Sequence, residues 1–338
     1  MTKVLVAGGS GFIGAHILEQ LLAKGHSVVT TVRSKEKAQK ILDAHKAEAD
    51  RLEVAIVPEI AREDAFDEVV KTPGIEVVIH PASPCHLNFT DPQKELIDPA
   101  VLGTTNILRA IKRDAPQVRR VIITSSVAAI FNTKDPVSTL TEQSWNPNDL
   151  SNIHDSRAVA YCVSKTLAER AAWDYVDQEK PNFDLVTVNP PLVLGPVVGH
   201  FSNVDSINAS NECLANLVRG KWRDEIPPTG PVNIWIDVRD VAAAHVRAME
   251  RQEAGGKRLF TVGGRFSYTK IAEIVREHGP DRFKDKMPRA EARSGDANYT
   301  GPVLKFDNGE TNRILGIEWT PLEKSVLDFV ESIKEFDL

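Results

Sequence analysis

Apolar and polar positions alternate between two periods along the first half of the chain. Residues 3–7 form a short apolar run, and residues 13–22 then carry Ile13, Ile17, Leu18, Leu21 and Leu22 on one helical stripe, with Gly25 placed to end it. The same alternation repeats. Strands are predicted at 27–32, 52–57, 76–80 and 120–124. Helices are predicted from a Ser34 cap through residue 45, at 62–72 and at 92–113. Such βαβαβ alternation implies a parallel sheet covered by helices on both faces.

Beyond the fifth strand, residues 132–155 read as a polar loop, 158–178 as a long helix and 185–189 as a strand that Pro190-Pro191 ends. Gly195-Pro196 opens an irregular region. Further helices are predicted at 212–219, 240–251, 269–277, 308–315 and 322–335, with strands at 233–236 and 258–262. Residues 1–190 are expected to form mainly a nucleotide-binding domain and 191–338 mainly a substrate lobe. A strand and helix at about 230–262 are expected to return to the first domain.

The first strand breaks at once into Gly8-Gly9-Ser10-Gly11-Phe12-Ile13-Gly14, so the glycines lie on a strand-to-helix turn. The first amides of a helix lack internal partners and face the positive end of its dipole, which makes such a turn a seat for an anion. A pyrophosphate suits it. Gly8 permits the tight turn, Gly11 lets the backbone approach the phosphates and Gly14 lets the helix pack closely. The second strand ends in Thr31-Val32-Arg33-Ser34, with Lys37 a turn further on. An NAD site usually places an acid there for the ribose hydroxyls. Two cations and a hydroxyl suit the 2′-phosphate of NADP instead.

Tyr161 and Lys165 stand four apart on a predicted helix, hence on one face. A phenol titrates at about 10, and a neighbouring ammonium favours its ionised form, which makes a proton donor for a carbonyl that receives hydride. Thr124-Ser125-Ser126 closes the fifth strand, where a hydroxyl can hold the same carbonyl oxygen.

The composition, 42% hydrophobic and 26% charged over 338 residues, is that of a globular protein with a large core. A net charge of −6 without a basic patch argues against nucleic acid as a partner. No apolar run is long enough for a bilayer and a strand begins at residue 3 with no signal peptide before it, so no membrane partner and a cytoplasmic location are expected. Cys85, Cys162 and Cys213 are odd in number and widely spaced, as for reduced thiols. The spacing of His80, Cys85 and His86 matches no common zinc pattern, and no metal is expected.

Several segments together resemble the extended short-chain dehydrogenase/reductases. They are the glycine turn, residues 31–34, His80-Pro81-Ala82-Ser83-Pro84, Thr124-Ser125-Ser126, Ala160-Tyr161-Cys162-Val163-Ser164-Lys165, Val188-Asn189-Pro190 and residues 236–242. Within that family the chain is similar to the dihydroflavonol-reductase-like group, and especially to fungal NADPH-dependent methylglyoxal and aldehyde/ketone reductases. The resemblance implies a Rossmann-type doubly wound sheet with a smaller C-terminal substrate lobe, NADPH as cofactor and a small carbonyl substrate. It implies that Ser126, Tyr161 and Lys165 are catalytic, and that Gly8, Ser10, Gly11, Phe12, Ile13, Gly14, Arg33, Ser34, Lys37, Ala82, Ser83, Thr124, Pro190 and Leu192, with Tyr161 and Lys165, contact the cofactor. Cys85, His86 and Val193 are expected to line the substrate pocket, and the protein to be a monomer or homodimer.

Two positions depart from the family pattern. Leu102-Gly103-Thr104 stands where many members have Asn-Gly-Thr, so no fourth catalytic residue is assigned. Glu59 replaces an Asp that relatives often place near the adenine. Asp237, Arg239 and Asp240 read as a structural turn and helix start, and Cys162 as packing. Two alternatives stand beside carbonyl reduction. One is a nucleotide-sugar epimerase or dehydratase, against which Arg33 argues; the other is a non-catalytic NADPH-sensing regulator, which commonly lacks the tyrosine or lysine that both stand here.

Overall fold

Short apolar runs and amphipathic stretches alternate in space as they do in the chain. A computed structural model describes residues 1–83, 88–132, 134–135, 137–198, 207–297, 301 and 303–336. In order, the first half contains β1 (Lys3–Ala7), α1 (Phe12–Ala23), β2 (Ser27–Val32), α2 (Lys35–Ala44), β3 (Leu52–Ile56), β4 (Ile75–His80), α3 (Asp98–Asp114) and β5 (Arg120–Thr124). β6 (Thr139–Leu140), α4 (Arg157–Glu179), β7 (Asp184–Val188) and β8 (Leu192–Leu194) follow. Then come α5 (Glu212–Val218), β9 (Glu225–Ile226), β10 (Ile234–Asp237), α6 (Val238–Glu250), β11 (Arg258–Leu259) and β12 (Gly264–Arg265). The last elements are α7 (Tyr268–His278), β13 (Arg293–Ser294), β14 (Lys305–Phe306), α8 (Gly309–Leu315) and α9 (Leu322–Ser332).

Seven strands form a parallel sheet in the order β3-β2-β1-β4-β5-β7-β11, the expected doubly wound α/β arrangement. One face buries Val4, Val6, Ile17, Leu18 and Leu21 with α6, and the other buries Leu5, Val78, Ile107 and Ile111 with α3. Both faces are covered, so the middles of the central strands are mainly apolar. Strand order reverses between β1 and β4, which opens the crevice where such sheets bind ligands.

Several predicted elements come out differently. Residues 62–72 are not a helix: Ala65 N donates to Arg62 O and Asp67 N to Asp64 O in successive tight turns, with a 3₁₀ turn only at Val69–Lys71. These turns bring Phe66, Val69 and Val70 together onto the sheet. The long fourth helix divides into a π-turn at Gln93–Ile97 and α3, where Pro99 lacks the amide hydrogen that a continuous helix needs. Within 132–155, β6 pairs with the distant β14.

The segment 230–262 splits between two sheets. α6 packs on α1, and β11 extends the large sheet beside β7. β10 instead joins a second sheet, β12-β10-β8, parallel to the strand hidden between the two Pro-containing turns. The chain leaves β11 two residues in and crosses to the second sheet, where Gly263 N donates to Trp235 O. That sheet and α5, α7 and α9 enclose the C-terminal core of Leu214, Trp222, Trp235, Ile271 and Phe329.

Candidate active site

At the end of β1 the chain turns through Gly8 at φ +99°, and a Cβ there would lie 2.9 Å from that of Ala82. Gly9, passed over in the sequence, is equally constrained, because its Cβ would fall 2.1 Å from Thr30 Oγ1. Gly14 is needed for the turn itself: a Cβ would sit 2.3 Å from Gly8 O. Gly11 is different. It is exposed, and its Cβ would meet only Gly8 O at 3.4 Å, so the packing of the chain does not itself require a glycine there.

Helix α1 starts at Phe12 with no capping side chain and no acid in its first turn, which leaves its dipole and first amides to an anion. Ser10 sits partly exposed on the turn, and Ile13 is half-buried behind it. Phe12 turns its ring inward, edge-on to His16 at 5.8 Å. Ala82 N donates to Ala7 O at 3.1 Å and so lays Ala82 and Ser83 beside the glycines.

Just past β2, Arg33 and Lys37 are exposed and neither forms an ion pair with a described residue. Ser34 Oγ caps α2 by accepting from Lys37 N at 3.3 Å. Leu102, which departs from the family pattern, is 40% exposed. Gly103 meanwhile packs against Ile60. Glu59 is exposed on the loop after β3.

At the other end of the crevice, β5 delivers three hydroxyls and α4 delivers Tyr161 and Lys165. The Lys165 ammonium is buried 5.7 Å from the Tyr161 ring centre, and Tyr161 is partly exposed. α4 packs directly on the Val127–Ala129 turn that follows Ser126. Two of the hydroxyls are spent elsewhere. Thr124 Oγ1 lies 2.7 Å from His245 Nε2; His245 Nδ1 faces Val241 O at 2.7 Å and therefore holds the ring hydrogen, so Thr124 is the donor. The Ser125 hydroxyl donates to Glu169. Ser126 Oγ accepts from Ala128 N at 3.1 Å, which leaves its hydrogen to donate. The Thr124 hydroxyl hydrogen is thereby engaged with His245.

His80 is fully buried at the end of β4, edge-on to Phe66 at 5.7 Å. Burial above all, and then the Lys165 charge, push its pKa down to about 4, so it is neutral at physiological pH. Cys85 and His86 lie outside the described residues. Among the described residues no group of three His, Cys, Asp or Glu side chains is arranged to hold a metal.

On the loops after β7, Pro190 O accepts from Val127 N at 2.9 Å, and Leu192 stays partly exposed on β8. Val193, expected in the pocket, is only 6% exposed and packs with Phe12, Ile236 and Val238. Strand alternation turns it away from the face that Leu192 presents. Burial pushes the Cys162 thiol up to about 11, which keeps it protonated. Asp237 caps α6 by accepting from Arg239 N at 2.8 Å and holds the Arg239 guanidinium, which also reaches Asp328. Asp240 accepts from Thr320 N and Oγ1 at 2.6 and 2.9 Å, so these three residues brace α6 to the C-terminal segment.

Glu169 belongs to the same helix face as Tyr161 and Lys165 and is absent from the residues expected at the site. Its signal was present, since it continues the four-residue step from Tyr161 and Lys165. Apart from Trp173 on the same helix, its donors lie 18 to 89 residues away in the chain.

The chain is similar to known proteins over nearly its whole length. The model of the NAD dependent epimerase/dehydratase family matches residues 4–263. The ketoreductase azaE of Aspergillus niger is 39% identical over 335 residues, 98% of each chain. The NADPH-dependent methylglyoxal reductase GRE2 of Saccharomyces cerevisiae is 35% identical over 344 residues, 99% of each chain. The structure of Gre2 from Candida albicans in complex with NADPH superimposes with a TM-score of 0.90 at 36% identity, covering 99% of both chains.

Proposed function

The chain belongs to the NAD dependent epimerase/dehydratase family, and on that premise we propose that it is an NADPH-dependent carbonyl reductase of small aldehydes, ketones or dicarbonyls. The observation that carries the reading is the partition of hydroxyls at β5: Thr124 and Ser125 are committed to buried partners, while Ser126 keeps a hydrogen to donate beside the helix of Tyr161 and Lys165.

The glycine turn fits a pyrophosphate, because Gly11 leaves room and α1 begins uncapped. Arg33, helped by Ser34 and Lys37, would hold a 2′-phosphate, and Ala82, Ser83, Pro190 and Leu192 would border the rest of the dinucleotide. When bound, NADPH supplies the hydride that the carbonyl carbon receives. Ser126 donates a hydrogen bond to the carbonyl oxygen, and Tyr161 gives that oxygen its proton. Lys165 favours the phenolate that remains and would bond the nicotinamide ribose. Residues 1–190 mainly carry the cofactor and 191–338 mainly the substrate. No helix of the described residues is long and apolar enough to cross a membrane. Free thiols at Cys162 and Cys213 suit the cytosol, with the protein a monomer or homodimer.

The test is NADPH consumption against a panel of aldehydes, diketones and ketoesters. Carbonyl-dependent oxidation of NADPH, faster than of NADH, is expected. No turnover with any member of the panel would overturn the reading.

A further inference from the structure

Four residues of α4 climb one face of the helix at four-residue steps: Tyr161, Lys165, Glu169 and Trp173. The third carries no role in the reaction described above, yet it is the most heavily bonded side chain near it. Glu169 is completely buried. Its Oε2 accepts from the Ser125 hydroxyl and, at 2.6 Å, from Asn189 Nδ2. Its Oε1 accepts from Thr187 Oγ1 at 3.1 Å, Arg258 Nε at 2.5 Å and Trp173 Nε1 at 3.4 Å. These donors sit on the ends of β5 and β7, on β11 and on α4 itself. One carboxylate thus ties the helix of Tyr161 and Lys165 to the strand ends below the crevice.

Two paths lead from this carboxylate to Ser126. One runs through its neighbour Ser125. The other runs through Asn189, whose amide bonds Glu169 and also donates to Ser126 O at 3.3 Å. Arg258 balances the charge, stacked over Trp145 at 3.8 Å and bonded to Glu142 O and Ser144 O at 2.8 and 2.6 Å.

Such an ion pair is an expensive way to stabilise a fold, because desolvation offsets most of the attraction and a hydrophobic pair of similar size often does as well. What it supplies is direction. We infer that Glu169 is a positioning residue, the anchor that holds the Ser126 turn in register with Tyr161 and Lys165. The inference rests on the reading of those three residues as the reacting ones.

The same two strands offer an internal control. At their opposite ends Arg120 pairs with Asp184 through two bonds of 2.7 Å and reaches Ala248 O at 2.6 Å. That clamp also joins β5 to β7 but touches nothing in the crevice. Glu169→Gln, Ser125→Ala and Asp184→Asn are therefore compared for kcat, KM, thermal unfolding and the NADPH dissociation constant by fluorescence. Asp184→Asn should lower the unfolding temperature and leave kcat within about two-fold, because it moves no reacting group. Glu169→Gln puts an amide hydrogen against a ring of donors. It should lower kcat by roughly 10- to 100-fold, the scale of a small misplacement of reacting groups, with NADPH binding within about three-fold.

Ser125→Ala removes one donor and should lower kcat by about three- to ten-fold; it decides the matter by itself if Glu169→Gln does not fold. In a Ser126→Ala background, Glu169→Gln should cost less than about three-fold more, since the group it positions is gone. Full additivity with Ser126→Ala, or a kcat for Glu169→Gln no lower than that of Asp184→Asn, would overturn the anchor. A Ser126→Ala enzyme with wild-type turnover would instead overturn the reading on which the anchor rests.

Discussion

The two ends of the crevice are built by opposite means. At the glycine turn the proposed ligand's place is made by leaving things out: no Cβ at Gly11, no side-chain cap on α1 and, among the described residues, no ion pair to Arg33 or Lys37. At the end of β5 and on α4 almost everything polar is spent, with Thr124 on His245, Ser125 on Glu169 and Asn189 on both Glu169 and Ser126. Binding an anion needs unmet donors, because each is a bond that the ligand can claim. Moving a proton needs a donor aimed at one point, and that is obtained by satisfying every neighbour and leaving a single hydrogen free.

The sharpest way to break the contrast is at the crowded end. Tyr161→Phe removes the proton donor but keeps the ring, so kcat should fall by roughly 10²- to 10⁴-fold, the range of a general acid. The open end should not notice. NADPH affinity, measured without substrate, is expected to match wild type, and near-normal turnover with any good carbonyl would remove Tyr161 from the mechanism.

The crowded end should also be the one that acid disturbs. His80 beside Lys165 and His245 behind Thr124 are buried, and burial holds both near a pKa of about 4. In the unfolded chain they titrate near 6.5, so between about 6.5 and 4 that chain binds more protons than the native one. Stability should therefore fall as pH drops through this window, by at most about 3 kcal/mol for each imidazole. Asp240, raised by burial to about 6, works in the opposite sense and offsets part of the loss. Denaturant unfolding at a series of pH values measures the slope. A flat profile between neutral pH and about 5 would mean that the two rings are not sealed from water.

At the open end the effects should be smaller and confined to the cofactor. A charge-assisted hydrogen bond is worth about 1.5–3 kcal/mol, so Arg33→Ala should weaken NADPH roughly 10- to 150-fold and spare NADH. Lys37→Ala should do less, since an ammonium is a point charge and not a planar fork. The ratio of kcat/KM for the two cofactors reads both variants, and a ratio unmoved by Arg33→Ala would put the phosphate elsewhere.

Much of this was determined by the sequence alone, where the cause is local. Short apolar runs against a helical repeat, Gly25 ending α1, Ser34 capping α2 and the four-residue step from Tyr161 to Lys165 each act within a few residues, and each appears in the structure where the pattern puts it. The parallel order of the large sheet follows from the alternation of strand and helix.

Tertiary structure alone decided the rest, because partners distant in the chain compete for each group. Nothing local distinguishes Thr124, Ser125 and Ser126; His245 and Glu169 claim the first two hydroxyls and so single out the third. β8 is too short to announce itself between Pro191 and Gly195 and exists through its pairing with β10. Val193 turned inward because α1 and β10 meet over it. The 62–72 segment has a helix's apolar spacing, yet forms tight turns that seat Phe66 and Val70 on the sheet. A side chain's type is written in the chain, but whether its hydrogen bond is still free depends on what folding brings beside it.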